Sequence, residues 1–219
     1  MRKGTAPVVI ALATMIGAIV ASFVLTTPRG TVVGPKATQA FLDAWQRSQQ
    51  GTFVVEYRFT RVVAGGRGFE GKTRLAQRPP DRLFVGLGTV DGRIDGHKID
   101  CATEPGGDVR CFPGATVGAY DDEVAREIDR LRHYVEGDLP LYRTSWTWNG
   151  CFALALARNL PAAQYGMRAT FCFDDRTGAQ VLVEVVRPEG TDRSIATSLR
   201  AGVTDSDFEL PEDAGELPA

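Results

Sequence analysis

The chain has 219 residues, a formal net charge of -2 and 24% charged residues, with Lys and Arg scattered among Asp and Glu. This balance excludes the extended basic surface with which proteins bind nucleic acid. Arg outnumbers Lys, and Ala and Gly are abundant, which is typical of a GC-rich bacterial genome.

The N-terminal segment is the most apolar part of the chain. After the basic start MRK, residues 8–25 carry no charge and are about as long as a helix must be to cross a bilayer. Because basic residues stay inside, we expect residues 1–7 in the cytoplasm and the C-terminal domain outside it, in the cell envelope. Ile19 fits poorly at the third position before a signal cleavage after Ala21, so an uncleaved single-pass anchor is favoured; cleavage would give a secreted protein.

The rest of the chain is long enough for one domain with a sizeable core. We predict a linker over residues 26–35, a single extracytoplasmic domain over 36–211 and a frayed acidic tail over 212–219. The domain should begin with a helix from Pro35 to Gln50, because Phe41 and Trp45 lie one turn apart and Gly51 can end it.

The stretch GRGFEGKT, residues 66–73, fits the letter pattern of a nucleotide-binding P-loop. Such a loop needs a helix after it, but Pro79 and Pro80 follow too closely. The preceding stretch TFVVEYRFT alternates apolar and polar residues, as a half-exposed strand does. We therefore interpret GRGFEGKT as the turn of a hairpin and its returning strand, and expect neither nucleotide nor cofactor binding.

The remaining pattern predicts short strands joined by turns, in a largely antiparallel sheet. The strands are predicted approximately over residues 52–63, 68–78, 82–90, 93–101, 108–112, 143–149, 151–157, 166–174, 179–187 and 193–203. Asp91-Gly92 and Asp95-Gly96 are among the predicted turns. The connections are too short for parallel crossovers.

A second helix is predicted from Tyr120, because Val124, Ile128, Leu131 and Val135 recur at helical spacing. Gly137 should end it. The acidic triplet over residues 121–123 suits the positive end of a helix better than a metal site, since no partner ligands are in view. The fold class is therefore α+β, a strongly curved antiparallel sheet with two main helices on one face.

The four cysteines favour one pairing. Cys101 and Cys111 flank a Pro-Gly-Gly turn, and Cys151 and Cys172 end two alternating segments that would place Phe152 opposite Phe171. Two disulfides fit an oxidising compartment. A four-cysteine zinc site is disfavoured because no C-x-x-C pair is present.

One face of the sheet is rich in aromatic residues, which either form the core beneath the helices or line a ligand cavity. The candidate lining residues are Phe53, Tyr57, Phe59, Trp146, Trp148, Phe171, Phe173, Val124, Ile128 and Leu131.

The sequence offers few catalytic groups. His133 and Asp129 have the spacing of a surface pair on a helix, and His97 has no evident partner. Asp174 and Asp175 precede Thr177-Gly178 and read as turn residues. We therefore expect no enzyme and no metal site.

The order of these elements resembles the lipoprotein-sorting and lipid-carrier superfamily of the bacterial envelope, the LolA-, LppX- and RseB-like fold. The segments that carry the resemblance are AFLDAWQRS, FVVEYRFTRV, LAQRPPDRL, CFALAL, FCFDDRTGA and DFELP. It implies a half-barrel with helices on its concave face and a hollow that receives acyl chains, or a lipoprotein or lipid signal.

We therefore expect a membrane-tethered, non-catalytic domain that binds membrane lipid or the acyl chain of a lipoprotein. The alternative is an envelope protein-interaction or sensor module whose core is filled. A predicted anchor, together with the lack of a lipid-anchor cysteine near its end, argues against a soluble shuttle.

Overall fold

A computed structural model describes residues 31–103, 109–112, 114–147, 150–158, 160 and 163–210. Within these ranges twelve strands form one sheet in the order β1-β8-β9-β10-β11-β12-β2-β3-β4-β5-β6-β7, and neighbouring strands pair antiparallel. The strands are β1 (Val32–Val33), β2 (Phe53–Val63), β3 (Phe69–Arg78), β4 (Asp81–Gly86), β5 (Thr89–Ile94), β6 (His97–Thr103), β7 (Val109–Phe112), β8 (Tyr142–Thr147), β9 (Cys151–Leu156), β10 (Arg168–Phe173), β11 (Gln180–Arg187) and β12 (Gly190–Arg200). The predicted antiparallel architecture is confirmed.

The two predicted helices are confirmed, as α1 (Pro35–Gln50) and α2 (Tyr120–Val135). Pro35 occupies the first turn of α1, where its missing N–H costs nothing. The residue before it, Gly34, has φ of 85°, a conformation that favours glycine and lets the chain turn from β1 into the helix.

Both helices pack over β8 to β11 on one side of the sheet. The main core lies there and includes Phe41, Leu131, Tyr142 and Phe171. Three hydrogen bonds tie the helices together. The Trp45 indole N–H and the Gln49 side-chain amide donate to Glu127 at 2.8 and 3.3 Å, and the Tyr120 hydroxyl donates to the carbonyl of Gln49 at 2.6 Å.

A second core lies on the opposite side of the sheet, over β2 to β6. Val54, Leu83 and Ile99 form it with Phe208, which belongs to a short 3-10 helix (Asp205–Phe208). The start of the acidic C-terminal segment is therefore folded onto the sheet. Residues 211–219, including the predicted frayed tail, lie outside the described residues.

The region predicted as two strands over 82–90 and 93–101 forms three, β4 to β6. The turn lies at Leu87-Gly88, both with positive φ, and not at Asp91-Gly92, so that turn prediction was wrong. Gly92 lies inside β5, where a Cβ would meet the carbonyl oxygen of Arg82 at 2.2 Å. This glycine permits close packing of strands, which local turn chemistry does not reveal.

Both predicted disulfides are present, Cys101–Cys111 and Cys151–Cys172. Each joins residues directly opposite each other on paired strands, and Phe152 lies opposite Phe171 as predicted. GRGFEGKT also forms the predicted hairpin and strand: β3 begins at Phe69, and Lys72 is exposed on it.

Val32–Val33 lies in the segment expected to be a linker, yet it pairs with Ser145 and Trp146 at the edge of the sheet. Neither α1 nor α2 nor the 3-10 helix of the described residues has the length and hydrophobicity of a membrane-spanning helix. The predicted anchor over residues 8–25 lies outside the described residues.

Candidate functional site

The nine candidate lining residues that the structure describes do not form one site. Val124, Ile128, Leu131, Phe171 and Phe173 are buried in the main core. Phe53 and Tyr57 belong to a smaller core beside it, and Phe59 is half-buried on the same strand. Trp146 is half-buried and stacks on Phe152 with the ring centroids 6.2 Å apart, whereas Trp148 lies outside the described residues.

The space between the helices and β8 to β11 is filled by aromatic side chains. The ring of Trp45 contacts that of Phe171 with centroids 5.1 Å apart, and Phe41 lies 5.7 Å from Phe152. Offset and edge-on ring pairs of this kind are typical of a packed core. These aromatic residues are therefore interpreted more simply as core than as the lining of a ligand cavity. Contact between any of them and a ligand stays a prediction.

A cavity at one end of the helix layer has a volume of about 920 Å³. We call it the edge groove. It is lined by Val33, Gly34, Pro35, Thr38, Gln39, Val135, Glu136, Gly137, Pro140, Tyr142, Arg143, Thr144, Ser145 and Ala155. None of the nine described candidate residues is among them.

The ends of four elements build the edge groove. β1 covers the edge strand β8 only at Ser145 and Trp146, because the chain turns away at Gly34 into α1. The first turn of α1 and the last turn of α2 then stand on either side of the uncovered start of β8. The groove thus exists because β1 is only two residues long.

The wall of the edge groove contains a buried hydroxyl without a partner. Thr144 is only 5% exposed, and its Oγ1 makes no hydrogen bond in the described structure. The neighbouring Tyr142 hydroxyl is satisfied: it donates to the carbonyl of Gly166 at 3.1 Å and accepts from the amide of Tyr165 at 2.9 Å. Since buried polar groups are normally paired, Thr144 marks a place where a ligand oxygen could bind.

The charges around the edge groove are few. Arg143 and Glu136 line it, one of each sign. Gly34 gives the first amides of α1 no side-chain acceptor, and the first turn of that helix carries no acidic residue. The positive end of α1 is therefore available to a polar group of a ligand.

Two smaller cavities lie on the same side of the sheet, one over β2 to β4 with β11 and β12 and the other over β4 to β6. The central pocket has a volume of about 270 Å³ and is lined by Tyr57, Phe59, Thr73, Leu75, Arg82, Phe84, Leu87, Gln180, Val183 and Ser194. Tyr57 donates its hydroxyl to the carbonyl of Gln180 at 2.8 Å, and burial raises its pKa. The second cavity, of about 470 Å³, shares Arg82 and Phe84 with the first.

The candidate catalytic groups have structural roles in this fold. Nδ1 of His133 lies 2.7 Å from the carbonyl of Asp129 on an exposed helix face. Asp174 accepts hydrogen bonds from the hydroxyl and amide of Thr177, and the hydroxyl is the main reason that its pKa is lowered. In the ranges that the structure covers, no three His, Cys, Asp or Glu side chains are grouped as metal ligands.

The edge groove was missed from the sequence, although one signal was present. In YRTSWT the core-facing positions of β8 are Tyr142, Thr144 and Trp146, so a threonine stands where alternation calls for an apolar residue. A polar residue at a core position indicates either a hidden partner or a ligand.

No protein-family model matches the chain, and no curated protein matches it. Among solved structures, it is similar to MucB of Pseudomonas aeruginosa, solved as a complex with MucA, at 12% identity and a TM-score of 0.45. That similarity covers 81% of this chain but only 62% of MucB. LprF from Mycobacterium bovis has 12% identity and a TM-score of 0.40 over 85% of this chain and 100% of LprF.

A LolA superfamily protein from Nitrosomonas europaea is similar over 80% of this chain and 98% of its own length, at 7% identity and a TM-score of 0.35. The solved structures to which the chain is similar thus include a member of the superfamily that its sequence resembles, at low sequence identity.

Proposed function

We propose that this chain is a membrane-tethered, extracytoplasmic and non-catalytic half-barrel domain that binds a lipid, or the acyl chain of a lipoprotein, in the edge groove. The observation that carries the proposal is the groove itself. It combines a volume of about 920 Å³, apolar walls and a buried hydroxyl with no partner.

The size and lining of the edge groove suit an acyl chain. Ligand pockets are commonly about 300–1,000 Å³ and mostly apolar, with a few polar groups that orient the ligand. Val33, Pro35, Val135, Pro140 and Tyr142 supply apolar surface here. Each methylene that moves from water into such a site contributes about 0.8 kcal/mol.

The position of the groove in the chain supports access from a membrane. Val33 lines the groove, and Val32 beside it follows the predicted anchor after only the short segment 26–31. Even fully extended, a segment of this length spans roughly 20–22 Å at about 3.3–3.6 Å per residue. If residues 8–25 span the membrane, the groove stays near its outer surface and can exchange lipid without leaving it.

A second function is supported by a different observation. The interior between the helices and β8 to β11 is filled by Phe41, Trp45, Phe152 and Phe171, which is what an envelope protein-interaction or sensor module would show. In that case the edge groove would receive a side chain or segment of a partner protein in place of a lipid.

Lipid analysis of the full-length protein tests the proposal. The chain is extracted from its native membrane in a neutral detergent, and bound lipids are identified by mass spectrometry. We expect one lipid class to remain bound, and we expect Gln39→Trp to reduce its amount. Gln39 is exposed and lines the groove, so a large ring there narrows it without entering the core.

Asp43→Trp is the matched control. Asp43 is also exposed, one turn along α1, and does not line the groove. It accepts the hydrogen bond that Gln39 donates at 2.7 Å, so both variants lose that bond. Recovery of no lipid from the wild type, or equal amounts from the two variants, would refute lipid binding in the groove. Cross-linking to one envelope protein would then favour the interaction module.

A further inference from the structure

Three positive side chains lie directly opposite one another on adjacent strands. Arg82 on β4 is paired with Arg93 on β5, and Arg93 is paired with Lys98 on β6. Like charges in directly opposite positions destabilise a sheet. This cationic row therefore requires a compensating negative charge or a functional reason.

The cationic row forms the floor of the cavity of about 470 Å³, which we call the cationic cleft. The cleft is lined by Arg82, Phe84, Asp91, Gly92, Arg93, Lys98, Val117, Gly118, Tyr120, Glu123 and Arg126. The strands supply the row, and α2 supplies Tyr120, Glu123 and Arg126. Concave enclosure on two sides strengthens the field of the row, because less water is available to screen it.

Arg93, in the middle of the row, is largely buried. Its side chain is only 12% exposed, and its buried Nε makes no hydrogen bond in the described structure. Its guanidinium lies 5.7 Å from the centre of the Tyr120 ring, and its closest carboxylate oxygen, of Glu123, is 3.5 Å away. A buried guanidinium with an unpaired donor is a good partner for an added anion.

The lining of the cleft has a surplus of positive charge. Four cationic and two acidic side chains line it, which leaves a formal charge of 4 − 2 = +2. Arg126 makes no ion pair within the part of the chain that is described, and Arg82 makes only a 3.4 Å hydrogen bond to Gln49. Lys98 is paired with Asp100, just outside the cleft, at 3.1 Å.

Another pair of positive side chains also lies in directly opposite positions on adjacent strands but lacks the enclosure expected of an anion site. Arg58 lies opposite Lys72 on β2 and β3, but both are exposed to solvent and neither lines a cavity described here. Water and salt screen such a pair. Enclosure and the unpaired Nε distinguish the cationic row from it.

We propose that the cationic cleft is a binding site for a phosphate or carboxylate group, held by Arg82, Arg93 and Lys98. The central pocket adjoins the cleft through Arg82 and Phe84 and is lined by Tyr57, Phe59 and Leu75. An apolar tail attached to the anion would fit there. The anion can therefore come from a lipid headgroup or from a free anion, and this site is separate from the edge groove.

Binding of three probes to the full chain in nanodiscs of neutral lipid tests this site. The probes are inorganic phosphate, dodecyl phosphate and uncharged dodecyl maltoside, each titrated by calorimetry. We expect a phosphate-bearing probe to bind and dodecyl maltoside not to compete. Arg82→Gln together with Lys98→Gln should weaken that binding about tenfold or more, as expected for loss of charged hydrogen-bond donors.

Arg58→Gln together with Lys72→Gln is the matched control, since it removes the same two charges from two exposed opposite positions. It should change the affinity less than about twofold, and melting curves should show that both double variants fold. Tight binding of inorganic phosphate alone would identify a free-anion site, and much tighter binding of dodecyl phosphate would identify a lipid headgroup.

Two results would overturn the inference: no binding of either phosphate probe to the wild type, or equal weakening by the two double variants. Gln39→Trp should leave phosphate binding unchanged, because Gln39 lies in the edge groove. The effect of this variant on lipid binding and its lack of effect on phosphate binding therefore test the edge groove and the cationic cleft separately.

Discussion

Trp45 on α1 donates its indole N–H to the carboxylate of Glu127 on α2 at 2.8 Å, and this bond sets the two helices against each other. The Trp45 ring also packs edge-on against Phe171 with centroids 5.1 Å apart. The Trp45 side chain on α1 therefore contacts both α2, through Glu127, and the sheet, through Phe171. The edge groove lies between the start of α1 and the end of α2, so its width depends on this arrangement.

Replacing Trp45 with Phe should destabilise the domain. The variant keeps an aromatic ring but removes the donor to Glu127, and loss of a hydrogen bond to a charged group costs about 1.5–3 kcal/mol, with an added cost for the smaller ring. Chemical denaturation measures the free energy of unfolding. Glu127→Gln keeps an acceptor and should cost less; an equal cost for both variants would contradict a structural role for the bond.

Protonation of Asp207 should loosen the C-terminal 3-10 helix. Burial favours the neutral acid, but hydrogen bonds from the Thr204 amide and from Arg200 outweigh it and lower the pKa of Asp207. Since the pKa is lower in the folded state, this carboxylate stabilises the fold above its unfolded value of about 3.9. The stabilisation is lost as pH falls through the folded pKa.

Asp207→Asn should therefore lower the melting temperature at pH 7, and the difference from wild type should shrink below about pH 4. Asp205→Asn is the control from the same segment. Asp205 is 94% exposed although it pairs with Arg78 at 2.8 Å, and such surface pairs contribute little. If the difference in melting temperature between Asp207→Asn and wild type stays constant from pH 7 to pH 3, the charge of Asp207 does not contribute to stability in this way.

Thr144→Val should raise stability and lower lipid affinity together. Valine has nearly the shape of threonine but removes the buried hydroxyl that has no partner, and an unsatisfied buried group costs about 1–3 kcal/mol. A structural role for the hydroxyl would give the opposite change in stability.

Melting curves and the amount of co-purified lipid measure both effects of this substitution. Thr170→Val on β10 serves as control, because Thr170 alternates with the core residues Ala169 and Phe171 and faces away from them. Unchanged lipid retention in Thr144→Val would show that the hydroxyl does not contact the ligand.

The helices could be predicted to the residue because their signals are local. In α2, Val124, Ile128, Leu131 and Val135 are all buried, and acidic residues occupy its first turn. The strand pairing around the disulfides was equally accessible, since Phe152 and Phe171 fix the register of β9 and β10 together with the cysteines. Both the helices and this strand pairing are determined within short stretches of sequence, by the spacing of apolar residues and by the residues that form turns.

The cavities depend on relationships that short stretches do not contain. Arg82, Arg93 and Lys98 are unremarkable charged residues in the sequence and become neighbours only through the register of three strands. The strand boundaries in this region were mispredicted because Asp91-Gly92 has the composition of a turn but lies within β5. The edge groove likewise follows from the two-residue length of β1, and no turn or capping residue predicted where that strand would begin.

Photo-cross-linking in the membrane tests lipid binding in the edge groove most directly. The full chain is placed in vesicles that contain a photoactivatable acyl-chain probe, and labelled peptides are located by tandem mass spectrometry. Lipid binding in the groove should place label on residues 33–39 and 135–145, and this label should be reduced by Gln39→Trp and unchanged by Asp43→Trp. Absence of label from both segments, or label that the two variants leave equal, would contradict it.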